Sequence, residues 1–188
     1  MVIKSFAKIN LSLGVNKKLK NNLHNIQSFY CLVSLFDEIQ VKKKHGFKDT
    51  IKFQGKFARD IKKPNNSIKK TLNILRKNNI ISDFYSIKVK KKIPIFSGLG
   101  GGTSNSYYLT KFFTKGKMNR GLISKMEEKI GTDFKLFLKN QGFLKNLSKT
   151  IDFRNKIRLN LVLVYPNIRC STRFVYSKVK RLSPRLNF

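Results

Sequence analysis

Apolar residues recur in the first half of the chain with the period of two that strands require. Ile3, Phe6, Ile9, Leu11 and Leu13 are apolar, and Leu11-Ser12-Leu13-Gly14-Val15 alternates, so residues 3–15 are predicted to form a strand. A polar turn follows over residues 17–22, and an apolar run resumes over 26–35. Residues 37–43 and 49–55 read as further strands; in the second, Ile51 and Phe53 alternate with Lys52 and Gln54. Pro64-Asn65-Asn66-Ser67 is a turn that ends in a helix N-cap, and Ile68, Leu72 and Leu75 then share one helical face. Tyr85, Ile87 and Val89 alternate with Ser86, Lys88 and Lys90, which predicts a strand over 84–93 closed by Pro94.

Beyond Pro94 the pattern turns helical. Tyr107, Leu109, Phe112 and Phe113 predict a helix of about three turns. Leu122, Met126 and Ile130 place a second over 119–130. The continuous apolar run 159–165 has the pattern of a buried strand. Ser171 or Thr172 would cap a short last helix containing Phe174, Val175 and Val179. Strands first, then strands mixed with helices, argue for an α+β chain.

Composition narrows the class. A chain of 188 residues holds one well-buried domain, or one and a fraction. A hydrophobic fraction of 40% and an aromatic fraction of 12% exclude a disordered protein, and 16 phenylalanines against no tryptophan supply much of the core. There is no apolar stretch of membrane-spanning length, and residues 1–8 lack the features of a signal peptide. Two cysteines, Cys31 and Cys170, make no disulfide framework, and no Cys/His cluster has zinc spacing, so a reduced cytoplasmic setting is expected. The net charge of +32 would suit a polyanion partner. Yet the charge runs along the whole chain and is mostly lysine, whereas specific phosphate and base recognition favours the arginine fork. No specific nucleic-acid partner is expected; the positive field would draw in a phosphorylated substrate.

The chemistry gathers at Pro94-Ile95-Phe96-Ser97-Gly98-Leu99-Gly100-Gly101-Gly102-Thr103-Ser104, between a strand and a helix. Glycines let the backbone approach a phosphate, and the following helix adds unpaired N–H groups and the positive end of its dipole. Thr103 and Ser104 bring hydroxyls that reach a phosphate or a bound Mg²⁺. Thr103 stands where a P-loop has lysine and where the Rossmann fingerprint has its last glycine, so the loop is neither. A flexible linker is the plain alternative, but linkers are rarely bounded by an amphipathic strand and a helix. Among the 9 acidic residues, Asp37, Glu38, Asp49 and Asp60 fall in strand ends and turns where surface roles suffice, and Asp83, Glu127, Glu128 and Asp152 lie in turns or on a helix flank. Asp133, in Ile130-Gly131-Thr132-Asp133-Phe134, fits an N-cap as well as it fits a catalytic base.

Ala7-Lys8-Ile9-Asn10-Leu11, the glycine loop and Ile130-Gly131-Thr132-Asp133 together resemble the GHMP kinases in order and spacing. His24 with Gln27-Ser28-Phe29-Tyr30, and Tyr165-Pro166-Asn167-Ile168-Arg169-Cys170-Ser171-Thr172, are similar to the segments by which one branch of that family holds a cytidyl diphosphate substrate. The resemblance implies a domain like that of ribosomal protein S5 domain 2 over 1–145, and the start of an incomplete ferredoxin-like domain over 146–188. It implies ATP-dependent phosphorylation of a tertiary hydroxyl, with Mg²⁺. Lys8 and Asp133 would be catalytic. Pro94 and Ser97, Gly98, Leu99, Gly100, Gly101, Gly102, Thr103 and Ser104 would hold the nucleotide. Asn10, His24, Tyr30, Thr172 and Tyr176 would hold the acceptor; from the residues alone both tyrosines are ordinary core or surface aromatics. The chain departs from the pattern at Asn21-Asn22-Leu23, at Asn105-Ser106 and at Lys135, and it lacks the family's third glycine-rich motif. A kinase of homoserine or mevalonate, or a non-catalytic basic RNA-binding domain, are the competing readings.

Overall fold

The structure, a computed structural model, describes residues 1–19, 24–59, 61, 66–147, 149–153, 155–166, 168 and 172–186, without the side chains of Thr172 and Arg173. Its spine is one long strand. The apolar run 26–35 and the predicted strand 37–43 are continuous, and together they form β3, His24–Lys44. Around it lie β1 (Val2–Asn10), β2 (Gly14–Lys18), β4 (Thr50–Gln54), β5 (Phe84–Lys90), β6 (Gln141–Leu144) and β7 (Thr150–Asp152). β1, β2, β5 and β6 all run antiparallel to β3, β4 is parallel to β5, and β7 is antiparallel to β6. The sheet thus takes in residues 150–152, beyond the boundary expected at 145.

Alternation along these strands sorts their faces. Ile39, Ile87 and Val89 are fully buried, while their neighbours Gln40, Lys88 and Lys90 face solvent. Helices α1 (Ser67–Lys77), α2 (Gly101–Phe113) and α3 (Arg120–Lys129) lie on the apolar face, with α2 packed on β1 and α1 on α2. Ile39, Ile68, Leu72, Leu75, Ile87, Val89, Leu109, Met126 and Phe134 form the core. Each such side chain contributes roughly 1.5–3 kcal/mol by leaving water. The cap of α1 is Asn66 instead of Ser67: its side chain accepts from Lys69 N at 2.9 Å. Asn119 caps α3 in the same way through Leu122 N at 2.8 Å.

Three expectations fail locally. The predicted strand 3–15 is broken after Asn10, because Leu11 N and Ser12 N both turn to the Phe29 carbonyl (2.7 and 3.4 Å) and leave the ladder. The run 159–165 is not a buried strand. No strand pairs with it among the described residues; Leu159, Leu161 and Leu163 line a groove of about 260 Å³ with Cys31, Leu32 and Gln141, while Val162 is 91% exposed. The last helix, α4 (Thr172–Ser177), takes in Phe174 and Val175 but stops before Val179; Ser171, Asn167, Arg169 and Cys170 lie outside the described residues. No helix among the described residues is long and apolar enough to cross a membrane.

Candidate active site

The glycine loop is built by backbone needs that few residues meet. Gly98 and Gly100 have φ of 75° and 68°, and Phe96 takes φ 55°. A Cβ on Gly100 would lie 3.1 Å from Phe137 Cζ, and one on Gly101 would lie 3.0 Å from Ile93 Cγ2. Helix α2 begins inside the loop: Gly100 is its N-cap, no side chain caps it, and Gly101, Gly102 and Thr103 open its first turn. The site therefore carries a helix end of the kind that receives anions. The loop is tied to β1 by Lys8 N, which donates to the Leu99 carbonyl at 3.0 Å. Ser97 Oγ turns inward and donates to the Pro94 carbonyl at 2.7 Å.

Ser104 is not brought to the open side of this loop. It is fully buried, its hydroxyl 2.7 Å from Ser5 Oγ and donating to the Phe6 carbonyl at 2.5 Å. Ser5 Oγ also donates to Asn105 Oδ1 at 2.8 Å, which gives the unusual Asn105 a role in docking α2 on β1. Lys135, the other departure in this half, pairs with Glu127 at 3.0 Å and reaches the Leu147 carbonyl.

Beside the loop, β1 brings Lys8 to Asp133. The Lys8 side chain is 2% exposed, and its Nζ lies 3.2 Å from Asp133 Oδ2 and donates to Asn10 Oδ1 at 3.1 Å. Asn10 Oδ1 also accepts from Ser28 Oγ at 3.0 Å, so its amide is held from two sides. Asp133 sits in the first turn of a 3-10 helix, Thr132–Leu138, whose N-cap is Gly131 with no side-chain hydrogen bond. The carboxylate is thus engaged by Lys8, not by capping, and stays 36% exposed. A Cβ on Gly131 would come within 3.6 Å of Thr103 Oγ1, so the Asp133 turn lies beside the glycine loop.

The expected acceptor residues divide. His24 and Tyr176 stack on each other, ring centroids 5.4 Å apart at 17°. Burial, and then the Asp133 carboxylate, push the Tyr176 hydroxyl above the usual tyrosine range, which links this aromatic pair to the Lys8–Asp133 centre. Tyr30 is elsewhere. It is 1% exposed and packed against Leu136, Leu144 and Ile26 in a small second core, so its ring is not open to a ligand. The side chain of Thr172 lies outside the described residues.

One pair went unread in the sequence. Asp37, expected in a surface role, is fully buried and paired with Lys91, which is 3% exposed. Asp49 is likewise engaged: both its oxygens accept from Arg76 at 3.2 Å, and Oδ1 also from Tyr85 N at 2.8 Å. A signal for the first existed, since Asp37 is in phase with Ile39 and Val41, and Lys91 with Ile87 and Val89.

No family model matches the chain. It is 37% identical over 191 residues to the 4-diphosphocytidyl-2-C-methyl-D-erythritol kinase of Pelagibacter ubique (strain HTCC1062), covering 98% of this chain and 67% of that protein. It is 30% identical to the protein of the same name from Ureaplasma parvum serovar 3, covering 95% and 69%. Among solved structures, a 4-(cytidine 5'-diphospho)-2C-methyl-D-erythritol kinase superposes with a TM-score of 0.68 at 22% identity, over 99% of this chain and 68% of that one. The mevalonate kinase of Methanococcus jannaschii superposes with a TM-score of 0.54 at 17% identity, over 82% and 56%. The fold is the α+β fold of the GHMP kinases. By sequence, the chain belongs to the 4-diphosphocytidyl-2-C-methyl-D-erythritol kinase family.

Proposed function

We propose that this chain phosphorylates the 2-hydroxyl of 4-diphosphocytidyl-2-C-methyl-D-erythritol from ATP, a step in the non-mevalonate route to isoprenoid precursors, in the cytoplasm. The observation that carries the reading is the buried Lys8 ammonium 3.2 Å from Asp133, in the turn that lies beside Thr103 of the glycine loop. Asp133 orients the acceptor hydroxyl and takes its proton as the bond to phosphorus forms. Lys8 faces that carboxylate at 3.2 Å and stabilises the negative charge growing on the oxygen. The N–H groups at the start of α2 receive the phosphates, and most of the rate comes from positioning and charge neutralisation. Asn10, fixed by Lys8 and Ser28, contacts the acceptor; His24 reads the edge of the cytosine and Tyr176 stacks on it. Residues 1–145 act as the ATP-binding unit, with 146–188 beginning a second one.

Mg²⁺ fits the donor set. Among the described residues there is no cluster of three metal-ligating side chains. An ion bound mainly through phosphate oxygens and one or two protein oxygens needs none. Thr103 is the residue that would serve it, and the ion would neutralise phosphate charge. The test is a coupled ADP-release assay with the cytidyl acceptor, homoserine and mevalonate in parallel. Turnover with the cytidyl acceptor alone, falling by about 10²–10⁴ in Asp133→Asn, is expected. Equal turnover in the variant would sink the catalytic assignment, and turnover with another acceptor would redirect the substrate reading. Weak RNA binding that fades with salt is expected from charge alone.

A further inference from the structure

A second buried ion pair lies outside the Lys8–Asp133 centre. Asp37 is 0% exposed and Lys91 is 3% exposed, and they stand where β5 ends and the chain runs to Pro94. The strand is expected to continue to residue 93, but its pairing with β3 stops at Lys90; Lys91 N still donates to the Gln54 carbonyl of β4 at 2.7 Å, and a side chain takes over from Lys92. Asp37 Oδ1 accepts from Lys92 N at 2.8 Å and from Ile93 N at 2.9 Å, while Oδ2 holds the Lys91 ammonium. One carboxylate thus fixes three consecutive residues before the loop. Lys91 reaches onward: its Nζ lies 3.2 Å from the point a Cβ on Gly101 would occupy, and Gly101 is the first residue of α2. Ile93 Cγ2 lies 3.0 Å from the same point.

Stability explains this pair poorly. Two charges taken from water into a packed interior are commonly no more stabilising than apolar residues of the same volume. What an apolar pair could not do is accept two main-chain N–H groups at the mouth of the loop and turn the positive end of an ion pair toward the first turn of α2. We propose that Asp37 and Lys91 are positioning residues for the nucleotide. Asp37 sets the course of residues 91–93; Lys91 seats the glycine turn and points the positive end of the neutral pair at the first turn of α2, on the side that receives the phosphates. This rests on the assignment of the loop to ATP.

Removing either charge alone strands the other in the interior, so Asp37→Asn and Lys91→Met are each expected to fold poorly. The informative variant is the double one, D37N/K91M, which keeps an oxygen for the 92 and 93 N–H groups and the volume of the lysine stem. It should melt near the parent temperature, yet bind ATP about two- to fivefold more weakly by calorimetry. Inorganic tripolyphosphate should weaken by the same factor, with adenosine binding and the acceptor KM unmoved. A double variant that binds ATP and tripolyphosphate as the parent does would overturn the positioning role while leaving the kinase reading intact. Equal loss for adenosine would overturn it as well, since the effect would then not act through the phosphates. A parent chain that binds neither ATP nor tripolyphosphate would remove both readings.

Discussion

Replacing Tyr30 by phenylalanine separates a core tyrosine from a substrate-stacking one. The Tyr30 hydroxyl is buried with no hydrogen-bond partner in the structure. An unpaired hydroxyl costs about 1–3 kcal/mol in a protein interior. The void left by its removal is the size of one oxygen atom and lies beside Gly142, whose Cβ, were there one, would sit 2.9 Å from that oxygen. At about 24 cal/mol per Å³, a void the size of one oxygen gives back only a few tenths of a kcal/mol. The variant should therefore be more stable by about 1 kcal/mol at neutral pH, a rise of roughly 2–4 °C in Tm for a chain this size.

The difference should widen in alkali. Burial, and after it the Asp152 carboxylate, push the Tyr30 hydroxyl from the usual 10.0 up to about 12. The unfolded chain releases this proton at pH 10 while the folded chain keeps it, so the folded state binds more protons and loses stability as pH rises from 10 towards 12. That loss is about 1.4 kcal/mol per pH unit from this one group, and the phenylalanine variant does not suffer it. Urea unfolding at pH 7.5 and pH 11 should show the variant's advantage growing from about 1 to about 2–3 kcal/mol, with the acceptor KM unchanged. A variant less stable than the parent at pH 7.5 would mean the hydroxyl has a partner. A raised acceptor KM would return Tyr30 to the substrate site.

Lys8→Met removes a buried ammonium but leaves Asp133 partly in water, so the variant should fold, retain ATP affinity and lose about 10²–10³ in kcat; unchanged kcat would end the charge-stabilising role. Gly100→Ala forces a side chain into φ 68° and onto Phe137, and thermal melting should show a loss of at least about 1–2 kcal/mol, together with weaker ATP binding by calorimetry. Tyr176→Ala should raise the acceptor KM several-fold and leave the ATP KM alone; equal effects on both would mean the His24–Tyr176 stack only holds α4 in place.

What the sequence made legible follows the range of the interaction that sets it. The β5 alternation and the glycine loop are local, and both stand where expected, apart from the strand's last three residues. Of those three, Lys91 N still donates to the Gln54 carbonyl of β4 at 2.7 Å, while Lys92 N and Ile93 N turn to Asp37, which arrives from another strand and replaces ladder partners in a way no local pattern reveals. The run 159–165 failed for the same reason in reverse: its composition suits a strand buried on both faces, but burial is supplied by neighbours, and among the described residues it has side-chain neighbours on one side only. Tyr30 was judged by its likeness to substrate-holding aromatics. Its depth follows from β6 pairing on β3 beside it and from Leu136 closing over it, contacts made by residues far along the chain. The Asp37–Lys91 pair belongs to a different class, because it could have been read. Opposite charges in the inward phase of two strands, in step with the buried Ile39 on one and the buried Ile87 and Val89 on the other, are costly unless they meet. The phases of 37–41 and 87–91 already place both charges on the face that β3 and β5 turn to the core. The same phase, applied to charged residues as strictly as to apolar ones, moves Asp37 from the surface to the base of the glycine loop.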